Sequence, residues 1–118
     1  MNGRVFLIHW NAAEAEIYAD QLRAFGWEVV GIETADGARG GQAVKDNLPD
    51  VLVIYLTRLP SHGRQTAFAL RWYKATRTLP IVFVGGQDEA LAKTKAKIPD
   101  GHFVEAEELE ATLLHFRR

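Results

Sequence analysis

The chain has 118 residues, of which 47% are hydrophobic and 25% charged, with a formal net charge of −1 and no cysteine. This length fits one domain over residues 1–118, and the lack of cysteine excludes disulfide scaffolds, zinc ribbons and thiol catalysis. The balanced charge excludes an electrostatic footprint for nucleic acid or an anionic membrane, and the first apolar run, Val5–Ile8, is too short for a signal peptide or a membrane span. We therefore expect a soluble, cytoplasmic domain.

Five short apolar runs alternate with five amphipathic stretches along the chain. The predicted strands are Val5–Ile8, Glu28–Ile32, Val51–Leu56, Ile81–Val84 and His102–Val104. The predicted helices are Ala12–Phe25, Ala38–Leu48, Gly63–Thr76, Asp88–Ala96 and Glu107–Phe116. The first, third and fourth runs are continuously apolar, which is typical of strands that are covered on both faces. The alternation predicts a three-layer, doubly wound α/β fold of flavodoxin-like type, with a parallel five-stranded sheet in the order 2-1-3-4-5.

Several local signals set the limits and inner faces of these helices. Asn11 is the expected N-cap of the first helix, and Pro49 ends the second. In the third helix we expect Tyr73 to point inward beside Thr66 and Ala69 or Leu70. Asp88 is the expected N-cap of the fourth.

A doubly wound sheet places its site where the winding reverses direction, at the carboxyl ends of strands one and three. The residues expected around this crevice are His9, Trp10, Asn11, Tyr55, Thr57, Gly85, Gly86 and Glu105.

One segment carries a specific pattern. From Asp50 the chain runs through an apolar strand to Tyr55, and then into a loop that contains Pro60 and Gly63. This pattern closely resembles the third strand and following loop of bacterial response-regulator receiver domains, the CheY-like family, and the resemblance extends from Arg4 to about Leu114. In that family an aspartate at the position of Tyr55 accepts a phosphoryl group.

The resemblance implies that the other phosphorylation-site positions have changed as well. His9 and Trp10 stand where the family has an acidic pair that holds Mg²⁺, and neither is a suitable ligand for that hard cation. Gly85 replaces a hydroxyl residue, and Glu105 replaces a lysine with the opposite charge. With no nucleophilic carboxylate and no cation to neutralise a transferring phosphoryl group, phosphotransfer is not expected. The chain therefore resembles a degenerate pseudo-receiver, with no catalytic residue, metal or cofactor.

Other interpretations of the crevice residues remain open. Tyr55 and Trp10 either plug the vacated acidic pocket or stack on a planar ligand. A metal site of His9, His62 and Glu105 is the weaker alternative, because their spacing matches no metal motif. The Gly85–Gly86 turn either cradles an anion or is a flexible turn before the fourth helix.

Two groups of residues are candidates for protein binding. In receivers, the face made of helix four, strand five and helix five is the usual docking surface. Here that face is expected to pair a basic stripe with acidic residues, and the residues concerned are Lys93, Lys95, Lys97, Glu107, Glu108 and Glu110. Such a bipolar surface can dock a partner or a second copy of the chain. Trp72, flanked by arginine, is either an exposed interface anchor or packs over a neighbouring loop.

The hypothesis is a phosphorylation-independent signalling domain, not an enzyme, that binds an unknown protein partner or itself. It binds neither nucleic acid nor a membrane. Because the chain ends just after helix five, no output domain is expected. The alternative is a small flavodoxin-like module that binds a ligand in a crevice lined by Trp10 and Tyr55.

Overall fold

The computed structural model describes residues 1–118 and contains one parallel sheet in the order β2-β1-β3-β4-β5. The strands are β1 (Gly3–Ile8), β2 (Trp27–Glu33), β3 (Val51–Tyr55), β4 (Ile81–Val84) and β5 (His102–Val104). The helices are α1 (Ala12–Ala24), α2 (Gly37–Asp46), α3 (Pro60–Leu70), α4 (Asp88–Lys97) and α5 (Leu109–Leu113). The predicted fold class and strand order are confirmed.

The sheet separates two hydrophobic cores, and the alternation along β3 shows how. Val51, Val53 and Tyr55 point to the layer of α1 and α5, whereas Leu52 and Ile54 point to the layer of α2, α3 and α4. Successive side chains of a strand point to opposite faces, so a strand buried on both sides must be apolar throughout. All five residues of β3 are buried, as its continuous apolar run predicts.

The third helix differs from its predicted limits of Gly63–Thr76. It begins at Pro60, whose fixed φ suits the first helical position, and ends at Leu70. The Thr76 hydroxyl donates to the Leu70 carbonyl, and the Arg71 guanidinium donates to the carbonyls of Thr76 and Leu79. The Thr76 hydroxyl thus caps a carbonyl at the helix end, and Arg71 holds the segment that follows in its turn away from the helix axis.

This early end corrects the prediction for Tyr73 and decides between the two alternatives for Trp72. Tyr73 lies outside the helix and is 48% exposed, so it does not point inward. Trp72 is 75% exposed and does not pack over a loop. Phe68 is its only aromatic neighbour, in an edge-to-face contact with ring centroids 6.0 Å apart.

Other helix limits also differ. The N-cap of α4 is Gln87 instead of Asp88, and α5 is a short helix between two 3-10 turns, Ala106–Glu108 and Leu114–Phe116. The predicted Asn11 cap is confirmed, since its side chain accepts a 3.0 Å hydrogen bond from the Glu14 amide. None of the helices is long and apolar enough to cross a bilayer.

Candidate functional site

The two aromatic residues that follow β1 point into different layers. His9 is fully buried beside Tyr55, on the side of α1. Trp10 joins the other core, with Ile54 and Ala67. Trp10 and Tyr55 therefore do not line a common crevice. The prediction of a ligand site in a crevice lined by both rings is wrong.

Tyr55 sits inside an aromatic cluster beneath the carboxyl edge of the sheet. Its ring stacks on Tyr18 of α1 with centroids 4.3 Å apart, and it meets the edge of His9 at 5.1 Å. Tyr55 is 2% exposed, and its hydroxyl makes no hydrogen bond to the protein. Burial raises the pKa of the Tyr55 phenol, with a smaller contribution from Tyr18. The ring is thus a neutral packing element that fills this position.

A charged bridge covers the same cluster. The Arg58 guanidinium, from the loop after β3, contacts the Glu14 carboxylate of α1 at 2.7 Å. The other oxygen of Glu14 lies 3.6 Å from His9 Nε2, which is too long for a good hydrogen bond. Burial lowers the pKa of His9, while the nearby Glu14 carboxylate opposes that shift in part and Arg58 adds to it. His9 is therefore neutral in this environment at physiological pH.

This environment predicts a measurable loss of stability in acid. Because the pKa of His9 lies below its ordinary value of 6.5 in the folded protein, protonation favours the unfolded chain. The stability that neutral His9 contributes is complete above pH 6.5 and is lost as the pH falls towards the folded-state pKa. His9→Phe keeps a ring beside Tyr18 and Tyr55 but cannot be protonated. When the pH is lowered from about 7.5 to about 5.5, we expect the unfolding free energy of this variant to fall by less than that of the native protein, as measured by urea unfolding.

The matched control is His115→Phe, because His115 is exposed. This control should lose as much stability as the native protein over the same pH range. Equal acid sensitivity in all three proteins would show that His9 is not the titrating group.

Trp10 is held by close packing against the start of α3. It is 8% exposed and meets the edge of His62 with centroids 5.9 Å apart. A side chain at Gly63 would lie 2.8 Å from Ile54 and 3.7 Å from the Trp10 nitrogen. Glycine at this position therefore lets α3 approach β3 and cover Trp10.

Gly85 and Glu105, the last two of the five positions that correspond to the phosphorylation site of receivers, also have structural roles. Gly85 has a left-handed φ of +69°, and a Cβ there would lie 2.8 Å from Thr57, so a turn of this shape favours glycine. Glu105 is exposed and forms a reciprocal capping box with Glu108, whose carboxylate accepts the Glu105 amide at 3.0 Å. Glu105 thus caps the 3-10 turn that precedes α5 and does not join the His9 cluster.

The proposed metal group is not assembled. His62 contacts Trp10 in one layer, His9 is buried in the other, and Glu105 is exposed in its capping box. No group of three or more potential ligand side chains in residues 1–118 is arranged to hold a metal ion. The metal alternative for His9, His62 and Glu105 is therefore wrong.

An open groove of about 600 Å³ lies where the loop after β3 and the start of α3 face the loop after β4 and the start of α4. Its lining is mostly polar, and neither Trp10 nor Tyr55 belongs to it. Arg64 has no carboxylate within ion-pair distance, whereas Lys93 pairs with Glu89 at 2.9 Å. The other groups that can hydrogen-bond a ligand are on Thr57, Ser61 and Gln87. Of the residues expected around the crevice, Thr57 and Gly86 line this groove. Sequence reasoning missed its other walls, because they come from the first turns of α3 and α4 and carry no motif.

The lysines of α4 do not form one stripe. Lys93 lines the groove, and Lys97 lies over the Phe68 ring of α3, with its nitrogen 5.1 Å from the centroid. Lys95 instead lies over Phe103 of β5, at 5.4 Å. Residues two apart on a helix point in different directions, so Lys95 lies on the β5 side of α4, whereas Lys93 and Lys97 lie on its α3 side. The continuous bipolar surface expected from the sequence is therefore divided.

Comparison with known proteins supports the fold assignment. No protein-family model and no curated protein matches the chain. Among solved structures, a CheY-like response-regulator receiver domain from Methylobacillus flagellatus is 20% identical with a TM-score of 0.80, over 99% of this chain and all of that one (100%). The signal receiver domain of a modulated diguanylate cyclase from Desulfovibrio desulfuricans G20 is 21% identical with a TM-score of 0.75, covering 98% and 94% of the two chains.

A third similar structure is the receiver domain of a sensor histidine kinase from Pseudomonas aeruginosa PAO1, with a magnesium ion coordinated in its active-site cleft. It is 19% identical with a TM-score of 0.73, and 98% of each chain is covered. The chain described here thus has the CheY-like fold of response-regulator receiver domains.

Proposed function

We propose that this chain is a phosphorylation-independent protein-interaction module of the receiver fold, without phosphotransfer activity. The observation that carries the proposal is the burial of Tyr55 at the end of β3, where receivers have their phosphoacceptor aspartate. A phenol that is 2% exposed and stacked on Tyr18 offers neither a carboxylate nucleophile nor access to a phosphodonor.

The residues nearby also do not fit Mg²⁺, which prefers hard oxygen ligands in octahedral geometry. His9 and Trp10 supply no oxygen, and both side chains are buried. Glu14 is the carboxylate closest to His9, and Arg58 already neutralises it. No step of a phosphoryl transfer is therefore assigned to this site.

Binding is the activity that remains for such a domain. Large apolar side chains are exposed on α3 and just beyond it, and exposed apolar patches commonly mark interaction sites. We propose a protein partner, either another protein or a second copy of this chain, for a module that belongs to two-component signalling and acts in the cytoplasm.

The test is an amide-shift titration of the isotope-labelled protein, first with Mg²⁺ and then with beryllofluoride, together with intact mass after incubation with acetyl phosphate. We expect no shift at His9, Tyr55 or Gly85 and no phosphoryl adduct. Shifts around Tyr55 with beryllofluoride, or an adduct, would overturn the proposal.

A second candidate function is ligand binding in the groove beside α4. The observation in its favour is a volume of about 600 Å³ with unpaired Arg64 in its wall, a size that suits a small molecule. Adding a nucleotide mixture to the same titration separates the two candidates. Shifts confined to Thr57, Gly86 and Gln87 would favour the ligand module, and their absence would favour the protein-interaction module.

A further inference from the structure

The outer surface at the end of α3 exposes three aromatic side chains in succession. Phe68 is 37% exposed, Trp72 75% and Tyr73 48%. The early end of α3 at Leu70 moves Trp72 and Tyr73 out of the helix, where Trp72 is open to solvent and the Tyr73 ring is only partly covered. Tryptophan is depleted at exposed positions of this degree in isolated domains, and it is enriched at the centre of binding interfaces.

Two lysines flank these rings, one from each neighbouring helix. The Lys45 nitrogen of α2 lies 3.4 Å from the Tyr73 ring centroid, and the Lys97 nitrogen of α4 lies 5.1 Å from that of Phe68. Neither lysine has a carboxylate within 4.0 Å, so their charges are not neutralised within the chain. We call the surface formed by Lys45, Tyr73, Trp72, Phe68 and Lys97 the aromatic–lysine strip.

The charge around the strip is positive although the whole chain has a net charge of −1. Lys74 and Arg77 lie in the exposed segment that follows Tyr73, and neither forms an ion pair. The one nearby pair joins Arg71 to Asp100 at 3.0 Å, which neutralises both. An apolar centre with an unpaired cationic rim complements a partner that is apolar and acidic.

We propose that the aromatic–lysine strip docks an acidic, amphipathic segment of a partner protein. This inference rests on the proposed function and names the chemistry of its partner. Apolar side chains of the segment would pack on Trp72 and Phe68, and its carboxylates would meet Lys45 and Lys97. The strip takes only Lys97 from α4 and no residue from β5 or α5, so it differs from the surface formed by those three elements.

Two other occupants fit the strip less well. Single-stranded nucleic acid needs open ring faces on which bases stack, but the ammonium groups of Lys45 and Lys97 already lie over Tyr73 and Phe68. A second copy that binds through the same surface about a two-fold axis would bring these lysines against their own equivalents. Both occupants are outcomes of the test below.

The probe is a fluorescently labelled synthetic helical peptide with a leucine stripe at i, i+3/i+4 and i+7 spacing and glutamates on its flanks. Binding is measured by anisotropy with the full chain at low salt. Two further peptides serve as comparisons: one has lysine in place of glutamate, and one has the same composition with the stripe scrambled. We expect the acidic amphipathic peptide to bind at least roughly tenfold more tightly than either comparison, because both charge and stripe contribute.

Matched variants locate the binding. Trp72→Ala should weaken binding by roughly tenfold or more, as truncation of a central aromatic anchor does. The control is Ile17→Ala, which removes a side chain that is 67% exposed on α1, across the sheet. Lys97→Glu should weaken binding of the acidic peptide, whereas Lys95→Glu, on the same helix but facing Phe103, should not. Circular dichroism confirms that each variant is folded.

Equal binding of the three peptides, or equal binding by Trp72→Ala and Ile17→Ala, would overturn the proposal. Tighter binding of an oligothymidine than of the acidic peptide would assign the strip to nucleic acid. Sedimentation that shows dimers lost in Trp72→Ala would assign it to a second copy. Each of these outcomes would overturn only the proposal for the strip. The proposed function is tested separately, by phosphorylation and by beryllofluoride binding.

Discussion

Tyr55→Asp is expected to destabilise the protein severely and not to restore phosphorylation. Removing a buried aromatic ring costs about 3–5 kcal/mol, because the surrounding residues collapse only in part. The Tyr55 ring is stacked on Tyr18 and contacts His9, so the cavity would open in a packed cluster. A new carboxylate there would also be desolvated, at a further cost. Since small domains have roughly 5–15 kcal/mol of stability in total, much of it would be lost.

Tyr55→Phe is the matched control, because it keeps the ring and removes the hydroxyl. That hydroxyl is buried and makes no hydrogen bond to the protein. Removing it should leave the stability unchanged or raise it by up to about 1 kcal/mol. Urea unfolding followed by circular dichroism measures both variants. A Tyr55→Asp protein as stable as the native one, or one that accepts a phosphoryl group from acetyl phosphate, would show that the tyrosine does not plug this position.

Glu33→Gln is expected to cost about 2 kcal/mol of stability at neutral pH. Its carboxylate accepts amide hydrogen bonds from Thr34, Ala35 and Asp36 at 2.9–3.1 Å, and two bonds from the Arg39 guanidinium at 3.1 Å. These contacts fix the turn between β2 and α2, with 8% of the Glu33 side chain exposed. Glutamine has one acceptor oxygen and no charge, so it cannot satisfy the same donors.

The same carboxylate predicts how stability changes with pH. The Arg39 hydrogen bonds, aided by the backbone amides and opposed by burial, lower the pKa of Glu33 from 4.5 to about 2. A shift of this size corresponds to about 3 kcal/mol, which we reduce to about 2 because the Arg39 side chain is largely exposed to solvent. This stability is present above pH 4.5 and is lost as the pH falls towards 2.

Urea unfolding at about pH 7 and about pH 3 tests this expectation. The difference between native protein and Glu33→Gln should shrink at the lower pH. Glu28→Gln is the control, because Glu28 is half exposed and its contact with Arg4 is long, at 3.9 Å. This variant should have the stability of the native protein at both pH values. A pH-independent difference would mean that Glu33 acts through packing alone.

The sequence predicted the fold because its main signals are local. Continuous apolar runs such as Val51–Leu56 can be covered only by helices on both sides, which leaves few topologies. The change of Tyr55, His9 and Trp10 away from carboxylates was also readable directly. What each side chain contacts was not, because contact depends on which layer the residue enters: His9 and Trp10 are adjacent but belong to different cores.

Side chains distant in sequence decided the remaining features. At the end of α3 the Thr76 hydroxyl caps the Leu70 carbonyl and Arg71 binds carbonyls of the following segment, and no glycine or proline near Leu70 signals this end. For that reason the helical spacing wrongly predicts an inward Tyr73 and leaves the exposure of Trp72 open. The groove beside α4 lies between two loop-to-helix junctions that are distant in sequence, and periodicity does not reveal how they meet.

The separation of the two cores by the sheet also matters for engineering. The aromatic cluster around Tyr55 packs with α1, whereas the strip around Trp72 stands on the opposite layer. Substitutions in the two places share no contacting side chain, and energetic effects at such distant sites usually add. A designer can therefore remodel the tyrosine cluster into a new chromophore or ligand pocket and compensate the lost stability elsewhere in the α1 layer. The proposed aromatic–lysine strip would stay unchanged as an independent part of the same small scaffold.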